Sequence, residues 1–559
     1  MNTNHRASVA IAAALAAVIS LSGCTGQSAP ESDGSRNLQL PVLTSTAFVK
    51  NFNPFSPGSP IATKGTIYEP LYIVNKSQSG EEIPWLASGY SWSDDLLTLT
   101  FTLRDGVLWS DGEPFTADDV VFTYEMGKDD AAFDMGGFWS SMGGVDVKKV
   151  DDASVAFTFS SPDLTRFTQF TNTSYILPKH IWSEQSDPLN WENPDPVGTG
   201  PFTEVETFAT QSYTLEANPH YWRDDVKVPG IDYTQYASQD AIVQALKSNR
   251  ADWGGVVIPE VQKTFLDADP EFNRINYAAN TSSLMLCVNS TVKPLDDPAF
   301  RKALSMSINR EAIQNNAVYG YAIPSTATGI GAQFPDLDIA AGDSKLNDVV
   351  TYDLDAAKAA LDAAGYPVKD GVRTDKSGTP IVLTLPVTSS WFDWVSTAQI
   401  IADGFSELGI DATVDPLPDF GVWYDRLQKG DFTVAECGGG LYDSPAAYYS
   451  SMFSSSLMAP IGEVAQQNAF GRWSDPSLDT VIDALKTEAD AAARDELQKK
   501  AQQIFVDNLP NIPLNAAPYW QAFTIHNFTG WPDEQDNYST GIANDYNQLL
   551  IYSSLVPVN

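Results

Sequence analysis

The residue types that do covalent or metal chemistry are scarce in this chain. Four histidines and three cysteines stand among 559 residues, and His180, His220 and His526 are scattered along the sequence. No HExxH, P-loop or GxSxG spacing occurs. Asp370 to Gly378 (DGVRTDKSG) has the residue types of a calcium loop but neither the EF-hand spacing nor its final glutamate, and reads as a β-hairpin. With 71 Asp and Glu, counting does not remove a carboxylate pair able to hydrolyse glycosides, so a secreted glycoside hydrolase stands as the enzyme alternative. Rings are abundant instead: 14 Trp, 22 Tyr and 27 Phe. Aromatic faces hold a partner by contact rather than react with it. The composition therefore points to a binding protein, not an enzyme, with no cofactor and no metal.

Ligands of open α/β sheets lie beyond the carboxyl ends of strands, which selects among the rings. Trp391 and Trp394 fall just past an apolar strand, Ile381 to Val387. They precede a helix carrying Val395, Ala398, Ala402, Phe405 and Leu408. Trp253 follows a helical stretch, Ser238 to Ser248, inside ADWGG, where glycines let a ligand approach the backbone. Tyr442 and Asp443 follow Cys437-Gly438-Gly439-Gly440 for the same reason. Phe52 and Asn53 come after the first strand, and Trp520 completes the set. Trp109, Asp111, Asp118 and Asp119 read as structural.

The elements that must position these residues alternate between strand and helix, so the class is α/β or α+β. Trp92 to Leu103 alternates as a strand with Leu97, Leu99, Phe101 and Leu103 on one face. Thr116 and Asp119 form a capping box ahead of Val120. Asp297-Pro298 opens another helix, Asp353 to Gly365 repeats the pattern, and Asp475-Pro476 begins a broken helical stretch to Phe505. The length suggests two to four domains. A net charge of −38 repels phosphate backbones, which excludes nucleic acid as a partner.

At the amino terminus, Arg6 is followed by an apolar run, Val9 to Leu21, too short to span a membrane but suited to a secretory signal. It ends in Leu21-Ser22-Gly23-Cys24, which resembles the lipobox of bacterial lipoproteins. That resemblance implies cleavage after residue 23 and a diacylated Cys24. Residues 24–37 read as a flexible tether. Of the other cysteines, Cys287 lies in the apolar run SLMLCV and Cys437 is 150 residues away. Two buried thiols are expected rather than a disulfide, since sequence does not show them close enough to bridge.

Several segments, in order, resemble the bacterial extracellular solute-binding proteins of family 5, which serve oligopeptide, nickel and oligosaccharide ABC importers. Trp109 to Phe122 (WSDGEPFTADDVVF) looks like the family hallmark. Val197 to Phe202 (VGTGPF), Phe300 to Arg310 (FRKALSMSINR) and Leu361 to Tyr366 with Asp370 to Arg373 are similar to further markers. The resemblance implies a two-lobed periplasmic-binding-protein fold (type II, cluster C-like) with an extra domain inserted in lobe I. Lobe I would take 38–74, 205–288 and 525–559, the extra domain 75–204, and lobe II 289–524. It also implies a monomer, lipid-anchored outside the bacterial cell membrane, that hands its ligand to ABC permease subunits.

Phe52-Asn53-Pro54-Phe55-Ser56-Pro57, Tyr68-Glu69-Pro70-Leu71 and Trp391-Phe392-Asp393-Trp394-Val395 look like the branch that binds β-linked oligosaccharides. Peptide-binding relatives hold the ligand amine with an Asp just before a Tyr. Here that position is Leu441, ahead of Tyr442, and a buried unpaired ammonium costs several kcal/mol. The reading is therefore a cello-, xylo-, manno- or chito-type oligosaccharide, with an oligopeptide as the alternative; Asp443 or Glu436 are the acids that could stand in for the missing Asp. Burying about 100 Å² of sugar on one Trp gives ~2.5 kcal/mol. Three such platforms fall short of the ~8.2 kcal/mol of a micromolar complex after ordering costs, so hydrogen bonds to the hydroxyl rim must add to them.

Overall fold

The computed structural model describes residues 36–558 except 45, 57, 79, 169–173, 278–281, 331–333, 390, 419, 439–441, 443, 466–467, 518, 534 and 542–545, with backbone alone at 76, 282 and 517. Two large cores organise it. The first begins with the strand Leu38–Leu43, which pairs in parallel with Gly230–Tyr236. Ser212–Ala217 and Phe202–Phe208 extend this sheet antiparallel. A second, three-stranded sheet joins Trp253–Gly255, Gln521–Thr524 and Asn273–Asn276.

Between Leu38–Leu43 and Phe202–Phe208 the chain inserts an antiparallel sheet ordered Ala87–Trp92, Thr98–Leu103, Ser154–Phe159, Gly144–Asp151. Leu99, Phe101 and Leu103 are buried and the threonines between them are not, the alternation that seats one face on a core. The single strand expected from Trp92 is broken, because residues 93–97 turn with Leu96 at φ 57°. The helix Ala117–Asp129 covers the sheet and starts at the expected capping box of Thr116 and Asp119. Trp109 is fully buried.

The insertion is tied to the first core by Glu69. Its carboxylate accepts from Trp85 Nε1 (2.6 Å), Tyr221 Oη (3.1 Å) and Trp222 Nε1 (3.0 Å), donors from both sides of the inserted stretch. Complete burial outweighs these donors and pushes the Glu69 carboxyl up to about 7.

The second core runs from Leu284 to Leu514. Its sheet is ordered Ile323–Pro324, Ile512–Ala517, Ser282–Val288, Val434–Gly438. Beside it lies the parallel pair Val382–Thr388 and Asp411–Leu417, joined through Thr433, whose Oγ accepts from Thr384 N (2.8 Å) and donates to Thr384 O (3.0 Å). The helices expected at Asp297-Pro298, Asp353 and Asp475-Pro476 all form, with Asp297, Asp353 and Asp475 as N-caps.

The chain crosses between the cores twice, between Asn276 and Ser282 and between Ala517 and Gln521. Leu284 to Val288 therefore pack in the second core rather than the first, and Gln521–Thr524 pairs in a sheet of the first body. The cysteines depart from expectation. Cys287 and Cys437 form a disulfide, with Cα atoms 5.6 Å apart. Their strands are direct antiparallel neighbours in which Cys437 faces Met285 and Cys287 faces Ala435, a pairing that spacing along the chain does not reveal.

Candidate functional site

Strand direction sets the geometry of the second lobe. Val382–Thr388 and Asp411–Leu417 end level with each other, Thr388 opposite Leu417. Val434–Gly438 lies beside them and runs the same way: Thr433, just before it, bonds Thr384 near the start of Val382–Thr388, and Glu436, further along, feels the charge of Asp393 beyond the end of that strand. Each of the three strands then leads into a helix, Phe392–Glu407, Phe420–Lys429 and Pro445–Phe453. Leu284 pairs with Gly438 and Ser282 with Ala517, so both interlobe connections leave from this same edge. The loops carrying Trp391, Phe420 and Tyr442 therefore lie on the edge that faces the first lobe. Gly438 has φ +90°, and a Cβ there would come 2.4 Å from Ser283 O, so the strand exit requires glycine.

On that edge the rings cluster. Trp391 and Trp394 meet edge to face at 4.9 Å, and Phe420 lies 5.5 Å from Trp391. Trp423 backs both tryptophans at 5.9 and 5.4 Å, and Tyr424 stacks on Phe420 at 5.3 Å. Trp423 is buried, whereas Trp391 and Trp394 are half-buried, Phe420 is 47% exposed and Phe392 is 80% exposed. A contiguous apolar surface of this kind marks an interaction site.

Beneath the cluster sit two acids. Both Glu436 carboxyl oxygens are buried without a hydrogen-bond partner. Burial, and then the charge of Asp393, drive its carboxyl well above the usual range. Burial also raises Asp393. Both shifts favour the protonated form of these acids, which can donate one hydrogen bond as well as accept.

A cleft of about 710 Å³ opens between the inserted sheet and the second lobe. Tyr90, Trp92 and Phe167 line one side, and Tyr442, Arg494 and Gln498 the other. A main-chain hydrogen bond from Leu164 N to Lys486 O (2.7 Å) spans directly from the insertion to the second lobe.

Residues 81–459 match the family described as bacterial extracellular solute-binding proteins, family 5, middle. The chain belongs to this family. It is 26% identical over 521 residues to the oligopeptide-binding protein OppA of Bacillus subtilis, covering 88% of this chain and 89% of that one. It is 25% identical to the nickel-binding periplasmic protein of Escherichia coli, covering 74% and 78%. Among solved structures it resembles a periplasmic oligopeptide-binding protein of an ABC transporter from Thermotoga maritima, with TM-score 0.83, 26% identity and coverage of 93% and 99%. A mannohexaose-bound structure of that protein gives TM-score 0.75 over 93% and 98%. The fold is thus the two-lobed α/β fold of these binding proteins, and the protein is a substrate-binding component of an ABC importer rather than an enzyme.

In this family 5 protein the residues singled out from sequence separate into groups. Trp391 and Trp394 come together on the exposed edge. Tyr442 lines the cleft with 9% of its surface exposed; its ring meets Tyr448 at 5.0 Å and its hydroxyl accepts from Asn468 Nδ2 (3.1 Å). Trp520 is half-buried against Tyr277 (4.8 Å) and Tyr321 (6.2 Å), where the chain recrosses. Phe52, Asn53 and Trp253 are enclosed. Phe52 packs edge-on to Phe208 and Tyr213. Asn53 Nδ2 donates to the carbonyls of Pro188 and Trp191, and Trp253 Nε1 donates to Gln521 Oε1 and Gly541 O. Asp443 and Cys24 lie outside the described residues.

Sequence reasoning passed over Phe392, Phe420, Trp423 and Tyr424. Phe420, Trp423 and Tyr424 have the i, i+3, i+4 spacing of an ordinary packed helix face. Only their position on the shared edge distinguishes them. Among the described residues no group of three or more His, Cys, Asp or Glu could hold a metal, and no helix is long and apolar enough to cross a membrane.

Proposed function

We propose that this protein captures a β-linked oligosaccharide between its lobes and delivers it to an ABC permease. The observation that carries the reading is the half-exposed ring cluster of Trp391, Trp394 and Phe420 on the edge facing the first lobe. Flat C–H faces of pyranoses bury against such rings, while Tyr442, Asp443 and Glu436 supply hydroxyl partners. The Thermotoga maritima structure with mannohexaose bound supports the choice. Phe52, Asn53 and Trp253 are assigned to packing, and Trp520 to the interlobe connection. In this reading the protein is a monomer held outside the cell membrane by lipid on Cys24, and the two connections at 277–281 and 518–520 separate the lobes.

Calorimetry with cello-, xylo-, manno- and chito-oligosaccharides beside a pool of tri- to pentapeptides tests the ligand class. Micromolar binding of one sugar series and none of the peptides is the expected result. The reverse overturns it. An oligopeptide is the second reading, favoured by the acids at Glu436 and Asp393 and by the peptide-binding relative in Bacillus subtilis. A peptide ammonium that ionised Glu436 would find there the charge that Leu441 does not provide.

A further inference from the structure

We propose that Tyr321 is a counterweight at the hinge: its ring, carried by the second lobe but packed among residues of the first, opposes closure over Trp391 and Trp394 and so sets ligand affinity from outside the groove. The inference rests on capture of a ligand between the lobes and is indifferent to whether that ligand is a sugar or a peptide.

The contact crosses from lobe to lobe. Tyr321 belongs to the second: its amide donates to Val318 O (3.0 Å), and the strand that follows it, Ile323–Pro324, pairs with Ile512–Ala517. Tyr319 and Gly320 before it have φ 55° and 86°, a left-handed turn that fixes where the chain delivers it. Its ring meets Tyr277 edge to face at 4.9 Å and lies 6.2 Å from Trp520. Tyr277 is 3% exposed, in a cluster of the first lobe with Ile242, Val256 and Phe265, and Tyr321 rests against that same cluster. Trp520 packs on both this cluster and the core of the second lobe, while its carbonyl accepts from Val256 N (2.9 Å).

Sheet order decides which way the contact acts. The strands of the second lobe run Ile323–Pro324, Ile512–Ala517, Ser282–Val288, Val434–Gly438, with Val382–Thr388 beyond, held through Thr433. Both interlobe connections leave from the middle pair, at Ala517 and Ser282. Ile323 pairs with Ala516, so Tyr321 stands on the edge that faces the first lobe. It stands on one side of the connections, and Trp391, Trp394 and Phe420 stand on the other. A rigid lobe pivoting on those connections moves as a seesaw. Bringing the ring cluster toward the first lobe draws Tyr321 away from Tyr277 and Trp520 and exposes the apolar surface they cover. The free protein is thereby biased toward the open arrangement, and apparent affinity falls with the population of the closed one.

The experiment compares the unchanged protein with Tyr321→Ala, Tyr321→Phe and Trp520→Ala by small-angle X-ray scattering without ligand and by calorimetry with mannohexaose, cellohexaose and a pool of tri- to pentapeptides. Circular dichroism confirms folding. Tyr321→Ala should make the free protein more compact and should tighten every probe that binds by one common factor, about three- to tenfold. A residue that touched ligand would change the probes unequally. Trp520→Ala should shift both readouts in the same direction, and it carries the test should Tyr321→Ala not fold. Tyr321→Phe keeps the ring and should match the unchanged protein within about twofold. An uncompacted free protein, or affinity that is unchanged, weakened or altered for one probe alone, overturns the inference. Tyr321→Phe behaving like Tyr321→Ala also overturns it, since that assigns the effect to the hydroxyl. Failure of every probe to bind the unchanged protein rejects the proposed ligands, and the scattering of the free variants then decides the inference by itself.

Discussion

Cys287 and Cys437, 150 residues apart, are bonded across two neighbouring strands of the second lobe, so one covalent link closes most of that lobe's chain into a loop. Both cysteines are 1% exposed. Iodoacetamide should label neither in denatured protein without reductant and both after reduction. Replacing the pair by Ala should lower unfolding stability by about 2–5 kcal/mol in urea titrations. Labelling without reductant would show free thiols.

Glu69 gives a pH dependence whose sign is fixed. Its carboxyl is raised from 4.5 to about 7 in the folded protein, so its contribution to stability is full below pH 4.5 and is lost as pH rises to about 7. The difference corresponds to about 3 kcal/mol. Relative to the unchanged protein, Glu69→Gln should gain stability by roughly that amount between pH 4 and pH 8, read from urea midpoints. A constant offset across that window would contradict the shift.

The edge rings and the enclosed rings should respond in opposite ways. Trp391→Ala, Trp394→Ala or Phe420→Ala should weaken sugar binding by ~1–3 kcal/mol with smaller losses of stability. Trp253→Ala removes a buried indole with two hydrogen bonds and should cost about 3–5 kcal/mol of stability. Unchanged sugar affinity in all three edge variants would reject the ring cluster as the contact surface.

Glu436→Gln separates the two ligand classes. It keeps the shape and removes the ionisable proton, so neutral sugars should bind it within about twofold of the unchanged protein, because a neutral amide still donates and accepts. A ligand that needs a carboxylate for its ammonium should lose about tenfold or more, the worth of a buried charged hydrogen bond. The same substitution should stabilise the free protein increasingly as pH rises above 4.5, because burial and the charge of Asp393 raise the Glu436 carboxyl and its contribution is lost in that direction.

Local signals were the legible part of this molecule. Thr116 with Asp119, and Asp297 with Pro298, act within a single turn of chain, and each starts its helix where the spacing says. The place of Trp391 and Trp394 just past a strand is likewise a local feature. Signals that depend on what lies opposite were hidden. Leu96 breaks a strand that alternation alone would continue. Cys287 meets Cys437 because of strand order, and Trp253 is enclosed because Gln521 and Gly541 return from the far end of the chain to meet it. Phe420 became informative for the same reason: its helix leaves it on an open surface, which its own spacing does not record.

The hydrogen bond from Leu164 N to Lys486 O links the insertion directly to the second lobe, in addition to the two peptide connections that join the first core to that lobe. Swinging the lobes apart must pull this amide from its carbonyl and hand it to water. Its deuterium uptake is therefore a counter of such swings, and a ligand that keeps the halves together would slow that one clock while leaving the interior of either half untouched.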